Sequence, residues 1–161
     1  MAAAKLALAV FALILFAAPA EAATGFHGKV CGLVTAKQAA TVRGLSTTCT
    51  NAPSSQGPGS TIYVGKWAGK TSTSSHLQVT VSVYSDTGML QLATRNLRQG
   101  LPGGPAKRVA GIGGAAYEAT GAGSAGIHFI VGKDVVAIVL TASSSTASVE
   151  SIAKTVAAKL K

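Results

Sequence analysis

Hydrophobic and polar residues alternate most strictly between Leu77 and Tyr84. Leu77, Val79, Val81 and Val83 take one side, while Gln78, Thr80 and Ser82 take the other. Period two is the signature of a strand with one buried face. Thr61–Trp67 reads as a second strand, joined to the first by a turn-like stretch, Ala68–Ser75. Three more strands are predicted at Ala115–Thr120, Gly126–Val131 and Val135–Thr141. The first two flank Gly121–Ala125. A hairpin centred on Gly123 sets Tyr117 opposite Phe129 and Glu118 opposite His128. Gly132-Lys133-Asp134 forms the next tight turn. Val135–Leu140 is apolar throughout, which predicts a central strand covered on both faces.

Helical signals separate these runs. Thr35-Ala-Lys-Gln38 is a capping box, with Val34 and Ala39 placed to form its hydrophobic staple and Gly44 to stop the helix. Residues 46–60 (STTCTNAPSSQGPGS) read as a polar loop. A second helix is capped by Asp86 or Thr87 and carries Leu90, Ala93 and Leu97 at helical spacing. It ends at Gly100, before Leu-Pro-Gly-Gly-Pro at 101–105. The last helix runs from about Ala147 to Leu160, with Val149, Ile152, Val156 and Leu160 as its buried stripe. Glu150 falls near its start and Lys154, Lys159 and Lys161 near its end, as the helix dipole prefers. The order predicts one α+β domain: an antiparallel sheet of about five strands with three helices packed on it.

The N-terminus departs from this alternation. Lys5 precedes the unbroken apolar run Leu6–Ala18, then Pro19 and the small-x-small triplet Ala20-Glu21-Ala22. The run is short for a membrane span and suits a signal peptide. The expectation is a signal at 1–22 cut after Ala22, with Ala20 as the alternative site, and a secreted domain at 23–161. An uncleaved anchor is the competing reading. Lipid attachment at Cys31 is disfavoured, because Gly28-Lys29-Val30 places a charge where lipoprotein processing needs small uncharged residues. No later apolar run is long enough to span a bilayer, so the domain is expected to be soluble and extracytoplasmic, in or beyond the envelope.

Composition narrows the function classes. The 161 residues carry 14 Lys+Arg against 5 Asp+Glu, a formal charge of +9. Signal removal takes one base and one acid, leaving that excess intact. With 48% hydrophobic and 12% charged residues, this is no disordered charged tail. Two cysteines exclude a four-thiolate zinc site. Export favours a Cys31–Cys49 disulfide, closing a loop worth roughly 3 kcal/mol in the chain-entropy model. A redox role is weaker, since the spacing is not Cys-x-x-Cys.

Two segments carry a family resemblance. Cys31-Gly-Leu-Val-Thr-Ala-Lys-Gln, followed by Gly44 and Cys49, resembles the opening of a family of exported actinobacterial proteins of unknown function, many of them lipoproteins. Val109-Ala-Gly-Ile-Gly-Gly-Ala-Ala-Tyr117 resembles their Gly-x-Gly-Asp-Ala-Ala-Tyr turn, with Gly114 where Asp is usual. The match spans most of the chain after the signal, without the family's lipobox. It implies an envelope-associated or secreted domain with a PsbP-like sandwich fold, and no particular reaction.

Candidate chemistry is sparse. Ala122-Gly-Ser124-Ala-Gly126 is one substitution from a nucleophile elbow, but a strand follows the serine where that motif needs a helix. Gly111-Ile-Gly113-Gly-Ala-Ala116 looks like a dinucleotide fingerprint, but it enters a strand and reads as a turn. His27, His76 and His128 lack paired ligand spacing, so no metal and no cofactor are expected. Glu118 with His128 is the one acid–histidine pair that can be placed, as a cross-strand ion pair or, in a lower-ranked reading, an acid/base pair. Asp86 is assigned to a cap, Asp134 to a turn and Glu150 to a first helical turn.

The best functional feature is basic clustering. Arg95 and Arg98 lie three apart on the second predicted helix, Lys107 and Arg108 follow the Pro/Gly loop, and Lys66 and Lys70 flank Trp67. These six residues predict a basic surface for anionic envelope polymer or lipid head groups, on a non-catalytic domain. The alternative is an interaction or sensor module for another secreted protein. Export ranks nucleic acid below both.

Overall fold

The computed structural model describes residues 25–71 and 73–161. The expected signal peptide and its cleavage site lie outside the described residues. The chain runs through a 3-10 turn (Val30–Gly32), α1 (Ala36–Thr41), β1 (Leu45–Asn51), β2 (Ser55–Gly57), β3 (Ser60–Gly69), β4 (His76–Tyr84), α2 (Thr87–Arg95), β5 (Lys107–Val109), β6 (Ala116–Gly121), β7 (Ser124–Val131), β8 (Asp134–Thr141) and α3 (Thr146–Lys159). The strands of the described residues form one sheet of eight in the order β1-β3-β4-β8-β7-β6-β5, with β2 also paired to β3. Every pairing is antiparallel.

The mixed architecture is as expected, but the strand count is not. The supposed loop at 46–60 contains β1 and β2, and β5 follows the Pro/Gly segment. All three lie on the sheet's margins, where neither face need be apolar, so their sequences (LSTTCTN, SQG, KRV) carry no hydrophobic alternation. The predicted central strand, β8, does lie mid-sheet between β4 and β7.

Alternation sorts the rest. Leu77, Val79, Val81, Ile138, Leu140, Ile127 and Phe129 point to one face and are almost wholly buried. That inner face is covered by α3, which packs on β6, β7 and β8. Ser145 caps α3, so the helix starts one residue earlier than expected, and Glu150 falls beyond its first turn. Val149, Ile152 and Val156 are buried as predicted, joined by Ala153 and Ala157. The capping box on α1 forms, and its staple residues Val34 and Ala39 both enter the core. Gln38 donates from its amide to Thr155, and Lys159 Nζ donates to the Gly32 carbonyl at 2.9 Å, so both helices and the 3-10 turn share this face. The Cys31–Cys49 disulfide pins that turn to β1, with Cα atoms 5.6 Å apart.

The outer face is dressed differently. α2 crosses β4 and β8 and buries none of its residues. Asp86 caps it, accepting from Met89 N–H at 2.7 Å. The segment after α2 then lies on β7. A side chain at Gly126 would come within 2.6 Å of Pro102, so glycine there is what admits the strap. Among the described residues no helix is long and apolar enough to cross a membrane.

Candidate functional site

The β6–β7 hairpin decides which polar residues share a face. Gly121 pairs with Ser124, so the turn is the two residues Ala122 and Gly123. Both adopt positive φ, 50° and 72°, the primed turn that suits a twisted hairpin. The turn is therefore centred between Ala122 and Gly123, not on Gly123. That small shift moves the register by one residue and changes every partner. Tyr117 opposes His128, and Glu118 opposes Ile127. The expected Glu118–His128 pair does not form, because the two side chains lie on opposite faces of the sheet.

On the outer face, β5 places Arg108 directly opposite Tyr117. From the turn after α2, Arg98 lays its guanidinium over the Tyr117 ring, 4.7 Å from the centroid. That is cation–π distance. α2 ends at Arg95, so Arg98 reaches this position from a turn, not from the helical face it was expected to share with Arg95. His128 sits on the other side of Tyr117 and donates from Nδ1 to the Leu97 carbonyl at 2.8 Å. Burial pushes its pKa below the ordinary value of 6.5, while the hydrogen bond to Leu97 pulls it partly back. The ring is neutral at neutral pH, so the charge here belongs to the two arginines.

The remaining predicted bases scatter. Arg95 is exposed in the last turn of α2. Lys107 faces the inner side, 3.7 Å from the Glu118 carboxylate. Lys66 is on the outer face, but β4, β8 and β7 separate β3 from β6, about 19 Å at ordinary strand spacing. It lines a separate open cleft of about 600 Å³ with Thr48, Thr50, His76, Gln78 and Thr141. Lys70 is exposed beyond the end of β3, and Trp67 between them is 1% exposed, turned into the core. The six bases thus make one Arg98–Tyr117–Arg108 array and a distant Lys66 site.

All four carboxylates of the described residues are committed elsewhere. Asp86 caps α2. Asp134 opens β8 instead of sitting in the turn before it. Its two oxygens accept from the Phe26 N–H at 3.0 and 3.1 Å, holding the N-terminal segment down. Burial raises its pKa, partly offset by that bond and by His27. Glu118, 5% exposed, has one oxygen near Lys107 and the other without a hydrogen-bond partner among the described residues. Burial first, then the neighbouring Glu150, pushes its pKa up. Glu150 itself lies 3.9 Å from Lys154.

Ser124 begins a strand, and no group of three metal-ligating side chains gathers among the described residues. Sequence reasoning missed Tyr117 as the organiser of the arginines. Lys107-Arg108-Val109 gave no sign of the strand that places Arg108 opposite Tyr117, because three residues with two bases show no alternation. No family model, curated protein or solved structure matches the chain.

Proposed function

We propose that this chain is an exported, non-catalytic binding domain that holds anionic cell-envelope material on the outer face of its sheet. The observation that carries the reading is the Arg98–Tyr117–Arg108 array, on a face where the described strands present no carboxylate and Asp86 is held in the α2 cap. Arg98, seated on the Tyr117 ring, and Arg108, on the strand position opposite that tyrosine, suit phosphate or carboxylate groups. The Cys31–Cys49 bridge supports an oxidising compartment. The resemblance to exported actinobacterial proteins, and the PsbP-like sandwich it implies, belong to the same proposal. Its support is that the paired cysteines and capped α1 are both in place.

Retention of the protein on isolated cell envelopes tests this. Bases near an anionic surface contribute about 1 kcal/mol each, so Arg98→Ser/Arg108→Ser should weaken retention about thirtyfold. Wild-type protein should also wash off at about 1 M salt, where the screening length is about 3 Å. Retention indifferent to both would overturn the proposal. A second reading, docking to another secreted protein, is favoured by Met89 and Leu92, exposed by 37% and 50% on α2. It predicts a saturable partner that resists salt and is lost on Leu92→Asp.

A further inference from the structure

The connection from β5 to β6 is a glycine-rich loop whose backbone is unusually well placed to meet an anion. Gly111 and Gly113 adopt φ of +77° and +57°, while the residues on either side of each keep negative φ. Alternating left-handed and ordinary residues turns successive N–H groups toward one side of the chain, a concavity that attracts anions. Among the described residues the N–H groups of Ala110, Gly111, Ile112 and Gly113 make no hydrogen bond to protein. Ala110–Gly114, with Arg108 and Val109, line a hollow of about 400 Å³.

The loop is held rigidly. Ile112 is 1% exposed and plugs it into the core. Gly113 lies so close to β7 that a side chain there would come within 2.1 Å of the Ile130 carbonyl oxygen. Gly114 N–H donates to that same oxygen at 2.8 Å. Donors fixed before the ligand arrives need no reordering to bind it. Arg108, which lines the hollow, stands opposite Tyr117, and Arg98 covers that ring. Backbone N–H groups and the Arg108 guanidinium are therefore the donors offered by this loop, the kind of donor set used for phosphoryl groups.

We infer that the Ala110–Gly114 loop and Arg108 form a phosphoryl-binding site, which takes the phosphate group of the anionic material proposed above. The inference rests on that reading and names its ligand chemistry. Gly111 offers a clean handle, because a side chain there meets nothing within 4 Å. Asn and Asp both tolerate positive φ, so Gly111→Asn and Gly111→Asp share the backbone cost and differ in charge.

The test is a titration of isotopically labelled full-length secreted protein with inorganic phosphate, against chloride at matched ionic strength, read at the backbone amides. The expected result is a saturable downfield shift of the Ala110–Gly113 amide protons with phosphate and not with chloride. Gly111→Asp should weaken binding by about tenfold or more, and Gly111→Asn by less than about threefold. Displacement of phosphate by phosphatidylglycerol vesicles, and not by phosphatidylcholine vesicles, would assign the group to a lipid head; no displacement would assign it to free phosphate. Amides that respond equally to chloride, or an unchanged affinity in Gly111→Asp, would overturn the inference. If Arg98→Ser/Arg108→Ser still frees the protein from envelopes in that case, the broader proposal stands while the loop site falls.

Discussion

On the inner face of the sheet, α3 buries Val149, Ile152, Ala153, Val156 and Ala157, and α1 and the disulfide close the remainder. On the outer face, α2 buries nothing, leaves Met89 and Leu92 exposed, and hands over to a strap that carries Arg98 onto Tyr117. One face of the same sheet is thus packed for stability and the other is left accessible and cationic. The contrast follows from the residues at alternating positions: in β4 and β7, Leu77, Val79, Val81, Ile127 and Phe129 point inward, while Gln78, Thr80, Ser82 and His128 point outward, as do Tyr117 and Arg108 on β6 and β5. Stability and binding should therefore respond to different substitutions.

The largest expected effect tests the inner face. Phe129 is fully buried, and Phe129→Ala should cost about 3–5 kcal/mol in denaturant unfolding. Next comes Cys31→Ser/Cys49→Ser, which frees a loop with a sequence separation of 18 and should cost about 3 kcal/mol. If either change left stability intact, the inner face would not be the stabilising one.

Smaller, and dependent on pH, is the contribution of His128. Its folded pKa is depressed by burial, so the unfolded chain takes up a proton more readily. Its contribution is complete above the unfolded value of 6.5 and is lost as pH falls through the depressed folded value. Wild-type stability relative to His128→Gln should therefore decline as pH falls from 6.5 toward the depressed folded value and level off below it. A relative stability that rises instead would place a charged histidine beneath the strap. Smaller again is the Arg98–Tyr117 stack. A double-mutant cycle with Arg98→Ala and Tyr117→Leu should give a coupling of about 0.5–1 kcal/mol. Smallest is Leu92→Ala on the exposed side of α2, expected within about 0.5 kcal/mol of wild type.

The two faces also differ in how far the sequence revealed them. Strict alternation in β4, the unbroken apolar run in β8 and the capping signals of α1 and α2 were readable because burial demands apolar residues at fixed spacing. β1, β2 and β5 lie at the margins of the sheet and satisfy backbone hydrogen bonds without needing an apolar face, so their composition looks like loop. The candidate site suffered from the same weakness. Arg98 and Arg108 were visible as bases, but their meeting at Tyr117 depended on β5 and on the Ala122-Gly123 turn. An alanine at positive φ is not a residue that announces a primed turn, and misplacing the turn by half a residue exchanged Tyr117 for Glu118. The committed carboxylates were only partly legible: the cap at Asp86 has a local signature, while Asp134 reaches Phe26 across 108 residues of chain.

The claim that the outer face is the binding face is tested most directly by two charge-matched variants compared on isolated envelopes. Arg98→Ser/Arg108→Ser removes two positive charges from the Tyr117 array. Lys37→Ser/Lys161→Ser removes two from exposed positions elsewhere. The first should lose retention by about thirtyfold and the second by less than about threefold. Equal losses in both variants would mean that net charge alone holds the protein, and would contradict a site on the outer face.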